Sequence, residues 1–507
     1  MEKITYAFFV LQLALILCFV FFAFFNGLYA FASLRKPRLK RVPHSSQDIA
    51  VVIVSYNEKF VLPETVASCD ALTYSNKIVL LADDSSDLEI VEGLRKMAVS
   101  KGCKKVASNA VAQDPLPCSP DSRLEPIEIW ESPGFVLLHR QSNLGFKGGN
   151  LREVSKYLRN RGIELMYLLD ADWHPQPDCL ERALEVLEAD PGAAFVQTKR
   201  LTFRDDLGLF QRYVTLSEEG CYYVDFEGRQ VLHHPTLFSG CCALLRLSAV
   251  ESVGGFAFGH LTEDLDVSNR LWIAGWRGIY CSDVVNYGEV PFTYHDFRRQ
   301  QERWACGTAR CLRDYFLPIL DSRHLGWLEK LCALRQNAYF ATSLLTALSI
   351  VQGVGTVLWL TLGAGSYQVE YYLSVVEKWQ FPLFVTIYGC VLSNLLGPII
   401  MVLAKRRRPL DLVHVPMGQW YAYSVLLTYV VGSVKGLCGI KADWFLTPKF
   451  IRGQLGARTG RQAGMRLMNA GVCLILIVSY SLEGWAFGWR DPFALLLIPA
   501  FVLAVHE

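Results

Sequence analysis

Three acidic clusters and one basic-aromatic cluster succeed one another through the middle of this 507-residue chain. They are Asp83-Asp84, Asp170-Ala171-Asp172, Thr262-Glu263-Asp264 and Gln300-Gln301-Glu302-Arg303-Trp304. Two carboxylates spaced as Asp170 and Asp172 fall on one side of an extended segment, which suits a hard cation with oxygen ligands, Mg²⁺ or Mn²⁺. Such a cation offsets the charge of a phosphorylated donor and the charge left on its departing phosphate. An Asp-x-Asp taken alone is weak, since two aspartates in a turn are commonly just solvated. The apolar run before this one and Pro175 after it favour the metal.

Lys147, in Gly145-Phe146-Lys147-Gly148-Gly149-Asn150, brings an ammonium and open backbone within reach of phosphates. The same segment reads equally as a glycine turn ahead of a helix beginning near Leu151. It is neither a P-loop nor a dinucleotide fingerprint. Asp264 opens a helical pattern (Leu265, Ser268, Leu271, Trp272), where the helix dipole stabilises an ionised carboxylate. That suits a general base, with Glu263 and Asp266 as substitutes, and it suits simple capping as well. Arg303 has the planar fork that phosphate oxygens accept, and Trp304 a flat apolar face for a sugar ring. Its helix, 294–315, also carries Arg298, Arg299, Arg310 and Arg313, and so reads as a basic surface lying on lipid headgroups too.

These groups must be brought together by the fold. Residues 48–310 alternate short apolar runs with helical stretches, the pattern of an α/β domain with a mostly parallel sheet. Ile49–Val54, Lys77–Ala82 and Leu165–Leu169 read as buried strands, each ending in a polar cluster. In open α/β sheets ligands bind beyond the carboxyl ends of the strands, so distant clusters can meet in one crevice. The proline-dotted stretch 101–133 reads as a surface insertion.

Apolar residues make up 52% of the chain and charged ones 19%, which is rich for a soluble protein. The apolar run 6–34 is long enough to span a bilayer, and the basic run 35–41 after it places residue 35 onward in the cytosol. Further spans are expected at 338–362, 381–404, 467–489 and 492–505, giving about five crossings, with an interfacial or re-entrant segment at 412–439. Neither basic run, 35–41 or 405–408, is joined to a basic domain, which argues against nucleic acid as a partner. The fifteen cysteines are scattered without zinc spacing and read as reduced thiols.

The ordered clusters ending in Gln300, Arg303 and Trp304 resemble the membrane-embedded family 2 inverting glycosyltransferases, in the cellulose synthase-like branch that includes mannan and glucomannan synthases. The resemblance covers roughly 45–310 through motifs and reaches about 450 through membrane arrangement. It implies an α/β GT-A domain with a Rossmann-like mixed sheet at 41–315, facing the cytosol. A transmembrane anchor at 1–40 and an all-α bundle of transmembrane and interfacial helices at 316–507 would make the protein multi-pass. Tyr56, Glu58 and Asp84 would contact the nucleotide of a nucleotide-sugar donor, with Lys147, Asp170 and Arg303 on its phosphates. Asp170 and Asp172 would hold Mg²⁺ or Mn²⁺, and Asp264 would be the base. Lys147 matches the family's loop lysine, although Gly148 stands where Ala is usual. The Phe238-Ser239-Gly240-Cys241 loop would line the acceptor, together with Gln300 and Trp304.

A segment within 441–452, Trp444-Phe445-Leu446-Thr447-Pro448-Lys449, resembles the gating loop of processive synthases through Thr447 and Lys449, with Trp and Leu as departures. The implied activity is hexosyl transfer from UDP-glucose or GDP-mannose to a growing β-glycan, coupled to its passage through the helices. A non-processive enzyme acting on a lipid acceptor, ceramide or polyprenol phosphate, shares most of these motifs. A transporter or receptor with a degenerate domain is disfavoured, because every reactive position keeps a competent residue.

Overall fold

The computed structural model describes residues 2–106, 127–203, 208–359, 392–406, 409–415 and 424–440, with isolated positions 362, 370, 374 and 447. Ten strands form one sheet: β1 (Ile49–Ser55), β2 (Lys77–Asp83), β3 (Lys104–Val106), β4 (Ile127–Glu131), β5 (Phe135–Arg140), β6 (Leu165–Asp170), β7 (His174–Pro175), β8 (Ala193–Thr202), β9 (Ala243–Arg246) and β10 (Arg277–Gly288). Their order is β3-β4-β5-β2-β1-β6-β9-β8-β10-β7. β5, β2, β1 and β6 run parallel, while β9 lies antiparallel between β6 and β8. The sheet is therefore mixed, as expected for the GT-A class.

The three strands read from the sequence are its centre, and their apolar runs are continuous because both faces are covered. Ile49, Val51 and Ile53 of β1 pack with α2 (Leu62–Asp70), α3 (Leu88–Ser100) and α5 (Cys179–Glu188). Ala50 and Val52 point the other way, toward α4 (Phe146–Asn160), α8 (Leu247–Ser252) and α9 (Glu263–Ile273). The polar clusters after β1, β2 and β6 consequently leave the sheet along one edge.

Two expectations need correction. The stretch 101–133 contributes β3 and β4, which continue the sheet beyond β5 as an antiparallel edge; residues 107–126 lie outside the described chain. The helix expected near Leu151 starts at Phe146, so Lys147 sits in its first turn. Gly145 (φ +72) and Phe146 (φ +55) take left-handed backbone there, which glycine adopts freely and Phe only with support.

Beyond the sheet, α10 (Tyr294–Asp321) carries the Gln300–Trp304 cluster, followed by α11 (Trp327–Asn337) and α12 (Thr342–Leu358). Among the described residues, one helix is long and apolar enough to cross a membrane, with its apolar stretch at Leu13–Ala32 inside α1 (Glu2–Ala32). The apolar helices Leu392–Lys405 and Leu426–Cys438 are shorter. Of the other expected spans, residues 381–391 and 467–505 lie outside the described chain.

Within the segment expected to lie at the interface, Leu426–Cys438 is a helix packed closely against α10. Two glycines four apart permit that approach. A Cβ on Gly432 would lie 2.8 Å from Glu302 O, and one on Gly436 2.2 Å from Cys306 O. Lys435 pairs with Glu302 at 2.6 Å beside them. Gly436→Leu should force the helices apart and cost about 1–3 kcal/mol, the usual range for overpacking. A lowered thermal unfolding midpoint of the detergent-purified protein is the measurement; an unchanged midpoint contradicts the packing.

Candidate active site

The loops after β1 and β2 are stitched together by Asn57, whose φ of +51 turns it toward the neighbouring loop. Its side-chain carbonyl accepts from Ser86 N at 3.0 Å and Asp87 N at 3.1 Å, and its own N–H donates to Ser85 Oγ at 2.8 Å. Tyr56 is half-buried and Glu58 buried beside it. Asp83 accepts from Ser85 N and Oγ and lies 2.8 Å from His139 Nδ1.

Asp84 is held more firmly. Arg140, at the end of β5, donates to it through Nε at 2.7 Å and Nη2 at 2.5 Å, and Asn150 Nδ2 of α4 donates at 2.9 Å. In this arrangement Asp84 braces α4, whose first turn carries Lys147. Both partners of the ion pair are buried, so Arg140→Met strands a carboxylate and should cost about 3–5 kcal/mol. Adding Asp84→Asn to that variant should recover part of the loss, read in a denaturant double-mutant cycle. Strict additivity of the two single effects would show that the pair is not coupled.

Lys147 joins two of the predicted clusters. Its Nζ lies 2.5 Å from Asp170 Oδ1, 2.9 Å from Gly240 O and 3.9 Å from Glu263 Oε1. Asp170 and Glu263 together push its ammonium further up, against burial. Gly148 and Gly149 let this turn sit close: a Cβ on Gly148 would lie 2.1 Å from Ala257 O, and one on Gly149 2.3 Å from Leu144 O. The departure from Ala at position 148 thus coincides with a place that has no room for a methyl group.

Thr262 caps α9 through its backbone, without a side-chain cap, so the two acidic residues after it open the helix. Asp264 Oδ1 accepts from Leu265 N at 2.8 Å, and its Oδ2 would lie 3.0 Å from a Cβ on Gly240 (φ +85). Burial pushes Glu263 up to about 7 and also raises Asp264. Lys147 and Arg303 pull both down again, and Asp264 has the Leu265 N–H and Arg200 as well.

The Arg-Trp helix meets this turn directly. Gly307 of α10 packs so closely that a Cβ there would lie 2.4 Å from Thr262 Cγ2, and Arg303 Nη1 is 3.5 Å from Leu261 O. Gln300 Oε1 and Arg303 Nε are buried, with no hydrogen-bond partner among the described residues. Trp304 is half-buried beside them. Unspent polar atoms of this kind are what a phosphate or hydroxyl ligand would satisfy.

Asp170, at 34% side-chain exposure, is reachable from solvent, while Asp172 is buried. Among the described residues no group of three or more His, Cys, Asp or Glu is placed to hold an ion by protein alone. Two carboxylates nevertheless fit a Mg²⁺-type ion, which takes one or two protein carboxylates and fills its shell with substrate phosphates and water.

Two of the expected acceptor residues lie under the surface. Phe238 and Cys241 are 0% exposed: the Phe238 ring packs on Phe195, and Cys241 Sγ accepts from Arg200. Thr447 is described only as an isolated position and Lys449 lies outside the described residues.

Three participants escaped the sequence reading. They are Arg140, Arg200, and Glu218 on α6 (Leu209–Gly220), which burial pushes up to about 7, with Arg200 opposing and Asp172 adding to the rise. Each is a lone charged residue at a strand end or on a helix, and only the pairing across the fold marks it.

Comparison with known proteins gives three kinds of likeness. Residues 165–376 match the model of the glycosyl transferase family group 2. A probable glucomannan 4-beta-mannosyltransferase 9 of Oryza sativa subsp. japonica is 28% identical over 287 residues, 56% of this chain and 49% of that protein. Glucomannan 4-beta-mannosyltransferase 2 of Arabidopsis thaliana is 26% identical over 286 residues, 56% and 48% of the two chains. The chain thus spans about half the length of the curated relatives it matches. In fold it resembles a mannosyltransferase from Pyrobaculum calidifontis solved in complex with GDP-Man and Mn²⁺, at TM-score 0.50 and 17% identity, over 84% of this chain and 99% of that one.

Proposed function

The chain carries a family 2 glycosyltransferase domain, and on that footing we propose that it moves hexosyl units from a nucleotide sugar, GDP-mannose foremost, onto a growing β-linked glycan. The glucomannan mannosyltransferases among its relatives and the GDP-Man bound to the mannosyltransferase of similar fold support mannose and GDP over UDP-glucose. The observation that carries the reading is Lys147, which contacts Asp170, lies within 4 Å of Glu263, and so draws two of the three acidic clusters to one point.

In the proposed reaction Asp264 takes the proton of the acceptor hydroxyl as its oxygen attacks the anomeric carbon of the donor. The bond from that carbon to the diphosphate breaks on the opposite side, which inverts the anomeric centre, and the nucleoside diphosphate leaves. Arg303 and Lys147 carry positive charge to the phosphates, and Trp304 offers its face to a sugar. Asp170 and Asp172 would hold Mg²⁺ or Mn²⁺, whose charge offsets that of the diphosphate. Tyr56 and Glu58 lie at the strand end where the nucleoside would rest. Multi-pass membrane embedding, passage of the product through the helices and a gating role for Thr447 and Lys449 belong to the same proposal. The apolar α1 and the tight packing of Leu426–Cys438 on α10 support the membrane part.

The test is to offer GDP-mannose, UDP-glucose and UDP-N-acetylglucosamine in parallel to the purified protein with Mn²⁺ and track release of the nucleoside diphosphate. Preferential release of GDP is expected. Release from none of the three, or from UDP-N-acetylglucosamine alone, overturns the donor assignment.

A further inference from the structure

Arg200, near the end of β8, is held beside the proposed base by contacts that its place in the sequence does not announce. Its guanidinium lies 5.1 Å from the Trp173 ring and 5.0 Å from the Tyr222 ring, and Nη1 donates to Cys241 Sγ at 3.0 Å. Its Nε is buried without a hydrogen-bond partner, and the residue makes no ion pair among the described residues. Cys241 follows Gly240, against which Asp264 Oδ2 rests. The guanidinium and the carboxylate therefore flank one short turn. Two aromatic faces hold the cation in place without consuming its charge, since the attraction to a ring does not neutralise it.

We propose that Arg200 is a positioning residue: fixed by Trp173 and Tyr222, it keeps Asp264 charged and turned toward the acceptor hydroxyl. The proposal rests on Asp264 being the base. The other groups facing Asp264 are Lys147 from α4, Arg303 and Cys311 from α10, and Glu263 and the Leu265 N–H from its own helix. Lys147 divides its charge between Asp170 and Glu263, and Arg303 stands where donor phosphates would engage it. Among the described residues no carboxylate comes within ion-pair distance of Arg200; Glu218 of α6 is the acid that shares its field with Asp264. Burial raises the Asp264 carboxyl and Arg200 is among the groups that lower it, in agreement with the geometry.

Removing a positive charge makes an ionised carboxylate harder to form, so the acid limb of the pH–rate profile moves to higher pH. The experiment measures kcat/KM against pH for the full-length protein with GDP-mannose and Mn²⁺, in wild type, Arg200→Gln, Arg200→Lys and Asp264→Asn. Arg200→Gln should move the acid limb to higher pH, by less than about one unit because Lys147 and Arg303 remain. Arg200→Lys should keep the limb at its wild-type position. A loss by the same factor at every pH in Arg200→Gln, or a limb displaced as far by Lys as by Gln, overturns the proposal. Should Arg200→Gln fail to bind GDP, the position of the Arg200→Lys limb decides alone. Asp264→Asn separates the two ideas: inactive at all pH with an unmoved Arg200→Gln limb, it removes only the Arg200 role; active, it removes the base and this proposal together.

Discussion

Replacing Asp264 with Asn is expected to lower kcat by about 10²- to 10⁴-fold, the range a positioned general base contributes, while donor affinity stays within a few-fold of wild type. Asn keeps the shape and the contact with Leu265 N but cannot accept a proton. The adjacent carboxyl is the rival, and the environment separates the two. Glu263 is pushed up to about 7 by burial and lies near Lys147. Asp264 has the backbone N–H of Leu265 and three cations favouring its ionised form. Burial raises both carboxyls, and what sets Asp264 apart is the fixed Leu265 N–H it accepts together with Arg200 among the cations that oppose its rise. Glu263→Gln should therefore cost less in kcat than Asp264→Asn. Single-turnover assays on both variants check this, and the reverse ranking would move the base to Glu263.

Asp172→Asn should weaken Mn²⁺-dependent donor binding by at least about 10- to 100-fold, a loss that substitutions even behind metal ligands produce. Asp172 is buried and Asp170 is paired with Lys147, so loss of one carboxylate leaves the lysine as the main balance for the other. Donor affinity should then become nearly indifferent to Mn²⁺, and chelation should bring wild type down to the same level. The measurement is a GDP-mannose titration with and without Mn²⁺. A variant whose affinity still rises with the metal as wild type's does would free Asp172 from the ion.

How much of the fold and site was legible in the sequence depends on the kind of signal. β1, β2 and β6 announced themselves because a strand buried on both faces must be apolar throughout, and the acidic tips stand where such strands end. Asp264 and Arg303 were readable because each lies in a helical stretch with a recognisable pattern. Arg140 and Arg200 were not, since each is a single charge near a strand end whose partner lies far along the chain, 56 residues for Asp84 and 41 for Cys241. The early start of α4 was hidden too. A Gly-Phe-Lys-Gly-Gly run looks like a turn by composition, and only packing against Ala257 and Leu144 explains glycines inside a helix. The burial of Phe238 and Cys241 was not legible either, because motif position says which loop nears the acceptor and not how far each side chain is covered.

The nature of the acceptor is the central question, and one product measurement addresses it. Full-length protein in lipid vesicles is given GDP-mannose labelled in the sugar, with Mn²⁺, and the products are separated into alkali-insoluble polymer and solvent-extractable lipid. Label in the polymer, released by a β-mannan-cleaving hydrolase and absent with Asp264→Asn, is the predicted result. Label confined to the lipid extract would contradict glycan synthesis and assign the site to a lipid acceptor.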